Sequence, residues 1–183
     1  FDGDGIKQDI EKAIFYIKES MKRNNPDAIY KYATMLYHGI GISVDRYESV
    51  KYFKRAADLK NADSLLDYGN ILIEGIYVRT NFEEGLKYIK MSSILGNKKA
   101  MLRYGQLIFD KDQNKGLKYI KKSIENGNSE ADIFYRNLLY ENDLIDSKNK
   151  AYNLKKYADK GDSKSMYIYG LMLLKGDGIT KNK

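Results

Sequence analysis

The sequence contains no cysteine and no tryptophan, and only one proline (Pro26) and one histidine (His38). Without cysteine there is no disulfide framework and no thiolate metal site. A single histidine supplies too few nitrogen ligands for a zinc centre and too few bases for a hydrolytic triad, so no metal and no cofactor is expected. His38 is expected to play a polar surface or loop-capping role. One proline leaves long helices permitted almost everywhere. No apolar run approaches the roughly 20 residues that span a bilayer, so no membrane insertion is expected. No secretory leader is visible, and no Asn-x-Ser/Thr glycosylation acceptor occurs. The missing cysteines and acceptors lean towards the cytoplasm. The chain opens on Phe1 rather than Met, which leaves targeting open.

What is present is 183 residues, 43% hydrophobic, with 17 tyrosines and a net charge of +7. Lysine, asparagine, isoleucine and tyrosine are all frequent, as an AT-biased coding sequence produces, so the charge alone does not define a binding surface. Neither a phosphate-binding loop nor a dinucleotide fingerprint occurs. "DGDG" at residues 2–5 hints at a calcium loop, but Gly follows the second Asp directly and the EF-hand spacing is not met.

The organising feature is internal repetition. "EGLKYIKMSSILGN" (84–97) recurs as "KGLKYIKKSIENGN" (115–128). A small residue recurs at Ala28, Ser64, Ala100, Ala131 and Ser165, with spacings of 36, 36, 31 and 34 residues. Four residues on comes Tyr32, Tyr68, Tyr104, Tyr135 or Tyr169, then a small residue at Ala33, Gly69, Gly105 and Gly170, with Arg136 the exception. Apolar pairs follow at offsets 7 and 8, from Met35/Leu36 to Met172/Leu173. These offsets share one helical face and define a helix A. Glycines 39, 41, 176 and 178 lie in the loop after it. Asp9, Asp45, Asn81, Asp112 and Asp146 form an N-cap column for a helix B. Helix B carries Tyr16, Tyr52, Tyr88 and Tyr119 and ends at Gly96, Gly127 and Gly161, or at Asn24 and Lys60. A glycine inside a helix costs about 1 kcal/mol relative to alanine, so the column at offset 5 implies close helix approach there.

The pattern resembles the Sel-one-like repeat (SLR) family, a relative of the tetratricopeptide repeats. "YATMLYHGIGISVDRYESVKYFKRAADLKN" (32–61) carries it best. The fourth copy departs most: Arg136 replaces glycine and "ENDLIDSKNK" lacks the loop glycines. The resemblance implies an all-α, right-handed superhelical solenoid of stacked helix–turn–helix units. It divides the chain into a partial repeat at 1–27, repeats at 28–63, 64–99, 100–130 and 131–164, and a partial repeat at 165–183, as a piece of a longer array. Both ends should then expose apolar faces, Phe15 and Ile17 at one and Met172 and Leu173 at the other, giving weak head-to-tail self-association.

The resemblance also implies a protein-binding adaptor or scaffold rather than an enzyme, with helix A lining the concave surface. The non-core stripe of helix A lies at offsets 3, 6 and 10 and includes His38 and Glu74; a protein or peptide partner is expected along its residues Lys31, Asp67, Asn70, Arg103, Gln106, Phe134 and Asn137. The alternative is an ordinary solvated face. A second reading is a regulatory region of a larger enzyme, such as a kinase or a ubiquitin-ligase component. A third is binding of nucleic acid or an acidic partner through a basic ridge on helix B at Lys54, Lys90 and Lys121. A solvated outer face is the favoured explanation of that ridge, and nucleic acid is the less favoured partner.

Overall fold

The computed structural model describes residues 9–141 and 145–178. Among them are ten α-helices and no strand. Helices of type B are α1 (Ile10–Lys22), α3 (Arg46–Asp58), α5 (Phe82–Ile94), α7 (Gln113–Glu125) and α9 (Ser147–Ala158). Helices of type A alternate with them: α2 (Pro26–His38), α4 (Ala62–Glu74), α6 (Lys98–Phe109), α8 (Ser129–Glu141) and α10 (Ser163–Lys175). The "DGDG" segment lies outside the described residues. The chain divides into two compact units between Ser123 and Ile124, within the last turn of α7.

The helix starts are set locally. Every residue of the expected N-cap column accepts a backbone N–H three residues on: Asp9 from Lys12, Asp45 from Glu48, Asn81 from Glu84, Asp112 from Lys115 and Asp146 from Asn149. Helix A has its own caps, which the sequence reading missed: Asn25, Asn61, Asn97, Asn128 and Asp162. Each cap satisfies a donor that the helix start leaves unpaired, worth about 1 kcal/mol. Two of these asparagines also join successive repeats. Asn61 Nδ2 donates to Asp27 at 2.7 Å, and Asn97 Nδ2 to Asp63 at 2.8 Å.

Packing in the first unit follows the columns. Gly69 of α4 meets Gly85 of α5, and Gly105 of α6 meets Gly116 of α7. A Cβ on Gly69 would lie 2.6 Å from Ile89 Cγ1 and 2.9 Å from the Gly85 carbonyl. The first crossing uses Ala33 and Ser49, both fully buried. Beside each crossing the two tyrosine columns meet edge-on: Tyr32 with Tyr52, Tyr68 with Tyr88 and Tyr104 with Tyr119, at centroid distances of 5.0, 5.0 and 4.7 Å. Ile29, Leu65, Ile89 and Ile120 are wholly excluded from solvent, each stabilising the fold by about 1.5–3 kcal/mol. Buried hydroxyls are paired with backbone carbonyls: Ser64 donates to Phe53, Ser92 to Ala62 and Ser123 to Lys98, at 2.6–2.7 Å.

The second unit, α8 to α10, replaces the glycine crossing with polar contacts. Arg136 stands at the glycine offset of α8. Its guanidinium pairs with Asp132 at 3.4 Å and Asp162 at 3.1 Å, and lies over the Tyr157 ring. Tyr157 donates to Asp132, and Tyr140 to Asp162. A guanidinium cannot be accommodated where two backbones touch, so α8 meets its neighbours here through these polar contacts.

The expected apolar ends need correction. Phe15 and Leu173 are exposed, at 58% and 50%. Met172 is buried, however, because α10 packs on α9. Ile17 is only partly exposed, because it packs on the cluster of Met21, Ile29 and Ala56. The more exposed side chains are Tyr16 on α1 and Tyr167 and Leu174 on α10.

Candidate functional site

Helix A residues at offsets 3, 6 and 10 point away from the glycine crossings, and in the first unit side chains link them across neighbouring repeats. Tyr30 of α2 donates its hydroxyl to Asp67 Oδ2 of α4 at 3.1 Å. Arg103 of α6 donates from Nε to Asn70 Oδ1 of α4 at 3.0 Å and approaches Glu74 at 3.6 Å. Asp67 and Asn70 of α4 and Arg103 of α6 thus lie along one connected face. Arg103 is already engaged within the protein, while the Asn70 amide keeps its N–H groups for another acceptor. Lys31 and Gln106 are half-buried on the neighbouring helices α2 and α6.

Between α2 and α4 this face opens into a pocket of about 270 Å³. Phe53 and Ile71, both buried, with Tyr37 and Ile76, give it an apolar lining; His38, Asp67, Asn70 and Glu74 give it polar groups. Burial pushes the Asp67 carboxyl above the usual carboxylate range, and nearby Asp63 adds to this; the Tyr30 hydrogen bond offsets part of it. Burial, and then the charge of Asp67, raise the Tyr30 phenol well above its usual value. The second Asp67 oxygen, Oδ1, accepts no hydrogen bond from a described residue. His38 closes α2, and its ring meets Tyr37 edge-on at 5.0 Å.

Phe134 and Asn137 belong to α8 in the second unit, where Phe134 is half-buried and Asn137 exposed. On helix B, Lys54 and Lys90 are exposed and Lys121 half-buried. Lys54 Nζ is paired with Asp58 at 2.8 Å on its own helix, which reduces the positive field of the ridge. The sequence reading missed Tyr30, Tyr37, Phe53 and Ile76 as parts of the site. Tyr30 and Asp67 are 37 residues apart while Asn70 and Arg103 are 33 apart; such cross-repeat partners follow from the stagger of stacked helices, not from a column of equal offsets. Among the described residues no group of three His, Cys, Asp or Glu side chains is placed to hold a metal ion, and no helix is long and apolar enough to cross a membrane.

Alternating A and B helices, capped at matching positions and packed through matching small residues, define a helix–turn–helix solenoid. The chain belongs to the Sel1 repeat family, whose repeat matches residues 1–25, 26–61, 62–97, 94–128 and 163–183. Residues 129–162, which hold Arg136 and α9, fall outside these matches. A Sel1 repeat protein from Oxalobacter formigenes has a similar crystal structure, with a TM-score of 0.73 at 26% identity over 98% of this chain and 76% of that one. The protective antigen c5321 of uropathogenic Escherichia coli, described as displaying an SLR fold, gives 0.68 at 22% identity over 97% of this chain and 40% of its own length. Helicobacter pylori cysteine rich protein B gives 0.53 at 18% identity over 72% of this chain and 98% of that one. At these two lower identities the likeness is one of fold. No curated protein matches the chain significantly.

Proposed function

We propose that the chain is a protein-interaction module, an adaptor or scaffold segment that takes an extended partner segment along the helix-A face of α2, α4 and α6. The observation that carries this reading is the pocket between α2 and α4, with its apolar lining and polar groups on a face that successive repeats extend. Solenoids offer such faces because side chains from neighbouring units reach one ligand. Asn70 and Gln106 share one repeat offset, and amides can donate to and accept from a peptide backbone.

Peptides selected from a displayed random library on the full chain test the proposal. Their affinity should fall about tenfold or more on the double variant Glu74→Ala, Gln106→Ala, which removes polar groups from this face alone. It should be unchanged on Lys54→Glu, Lys90→Glu. Selected peptides that bind the first variant normally and lose affinity for the second would move the site to helix B.

A further inference from the structure

We propose that the pocket between α2 and α4 is a receptor for one basic side chain, lysine or arginine, projecting from the partner segment. The inference rests on the helix-A docking face proposed above and specifies what anchors there. The pocket's shape and chemistry both fit such a side chain. Phe53 and Ile71, with Tyr37 and Ile76, offer apolar surface for its aliphatic stem. The carboxylates of Asp67 and Glu74 border the same cavity, in a protein that is otherwise net positive. An alkyl stem against apolar surface with a charged head at a carboxylate is how such amphipathic side chains are ordinarily accommodated.

Asp67 is the part of this arrangement that the fold itself leaves incomplete. Its side chain is half-buried, and Oδ1 has no donor among the described residues. Among the described residues no ion pair reaches it: the charges of Lys99 and His38 act on it only from a distance, and its hydrogen bond is from the neutral Tyr30 hydroxyl. A carboxylate so placed is destabilised by desolvation and gains from an incoming cation. Among the described residues Glu74 has only a long contact with Arg103, at 3.6 Å, and is exposed enough to turn towards a ligand. An acidic side chain would be repelled by both carboxylates. A purely aliphatic one would fill the floor and leave Asp67 further desolvated without a partner, which costs binding energy.

The test uses acetylated, amidated pentapeptides, Gly-Gly-X-Gly-Gly, with X as lysine, arginine, norleucine or glutamate. These are titrated into the full 183-residue chain while NMR follows the His38 ring and the Ile71 and Ile76 methyl groups. Lysine and arginine probes should shift these signals saturably, and their affinity should drop about tenfold in Asp67→Asn and again in Glu74→Gln. The Asp67→Asn protein should at the same time be no less stable than the parent at neutral pH, which separates lost binding from lost fold. Equal shifts with norleucine, or no shift with any probe, would overturn the basic-anchor proposal. The displayed-library experiment would still judge the docking face independently.

Discussion

Replacing Gly69 by alanine isolates the contact on which the repeat is built. The added Cβ would sit 2.6 Å from Ile89 Cγ1, 2.9 Å from the Gly85 carbonyl oxygen and 3.2 Å from the Ile89 nitrogen. Comfortable contact begins at about 3.5 Å, so α4 and α5 would have to separate by about 0.5–1 Å. Ile89 cannot yield into solvent, because it is fully buried. Overpacking of this kind costs about 1–3 kcal/mol, and two of the three contacts are with backbone, which places the cost at about 2–3 kcal/mol. Alanine recovers about 1 kcal/mol of helix propensity. The net expectation is destabilisation by about 1–2 kcal/mol. Gly170 occupies the same offset in α10, where a Cβ would meet nothing within 4 Å. Gly170→Ala should therefore keep the propensity gain and stabilise by about 1 kcal/mol. The two variants should differ by about 2–3 kcal/mol, or about 5–10 °C in Tm for a chain of this size. Urea unfolding followed by far-UV circular dichroism, with thermal melts alongside, reads both. Equal stabilisation by both alanines would refute the close-crossing account. Gly85→Ala added to Gly69→Ala should cost less than the sum of the two, since one separation relieves both clashes.

Lys60 holds a left-handed backbone (φ 64°) at the helix-B terminus, where other repeats place Gly96, Gly127 and Gly161. Lys60→Gly should stabilise by about 1 kcal/mol in urea unfolding, and a loss of stability would count against the strain. Two aspartates should give opposite pH dependences. Asp67 has a raised folded-state pKa, so its contribution is fully present below the unfolded carboxylate value and is lost as pH rises through the folded one. Asp67→Asn should thus raise the urea midpoint at pH 7, by an amount that shrinks towards about pH 4; a lower midpoint at pH 7 would be inconsistent with burial as the cause. Hydrogen bonds from Ser165 and then Tyr140 hold the Asp162 carboxyl well below the usual range. Its contribution is present above the unfolded value of about 4 and is lost as pH falls further. Asp162→Asn should flatten the acid limb of the stability profile, and an unchanged limb would remove Asp162 as its source. Arg136→Ala should lower the protection of α8 and α9 amides from hydrogen exchange, because Asp132 and Asp162 lose their cation; full protection would show that these ion pairs do not hold the unit.

The sequence by itself determined the repeat, its phase and its class of fold. Those features depend on residues read locally. Aspartate caps the helix it precedes, glycine tolerates the backbone that ends one, and apolar offsets place a stripe on one face. The helix-A caps were equally local, but Asn25, Asn61, Asn97 and Asn128 were hidden by a phase drawn from the small residues behind them. Only the tertiary structure decided which side chains meet across repeats. Gly85 and Gly116 recur in the duplicated phrase, but only the packed helices show that they face Gly69 and Gly105. Met172 counted as exposed until α9 was placed beside it. Tyr30 joins Asp67, and Arg103 joins Asn70, through the stagger between stacked helices, which depends on how far side-chain volumes let the backbones approach. The pocket exists for the same reason: Phe53 of helix B reaches a face that the sequence assigned to helix A alone, because the gap between α2 and α4 leaves room for it.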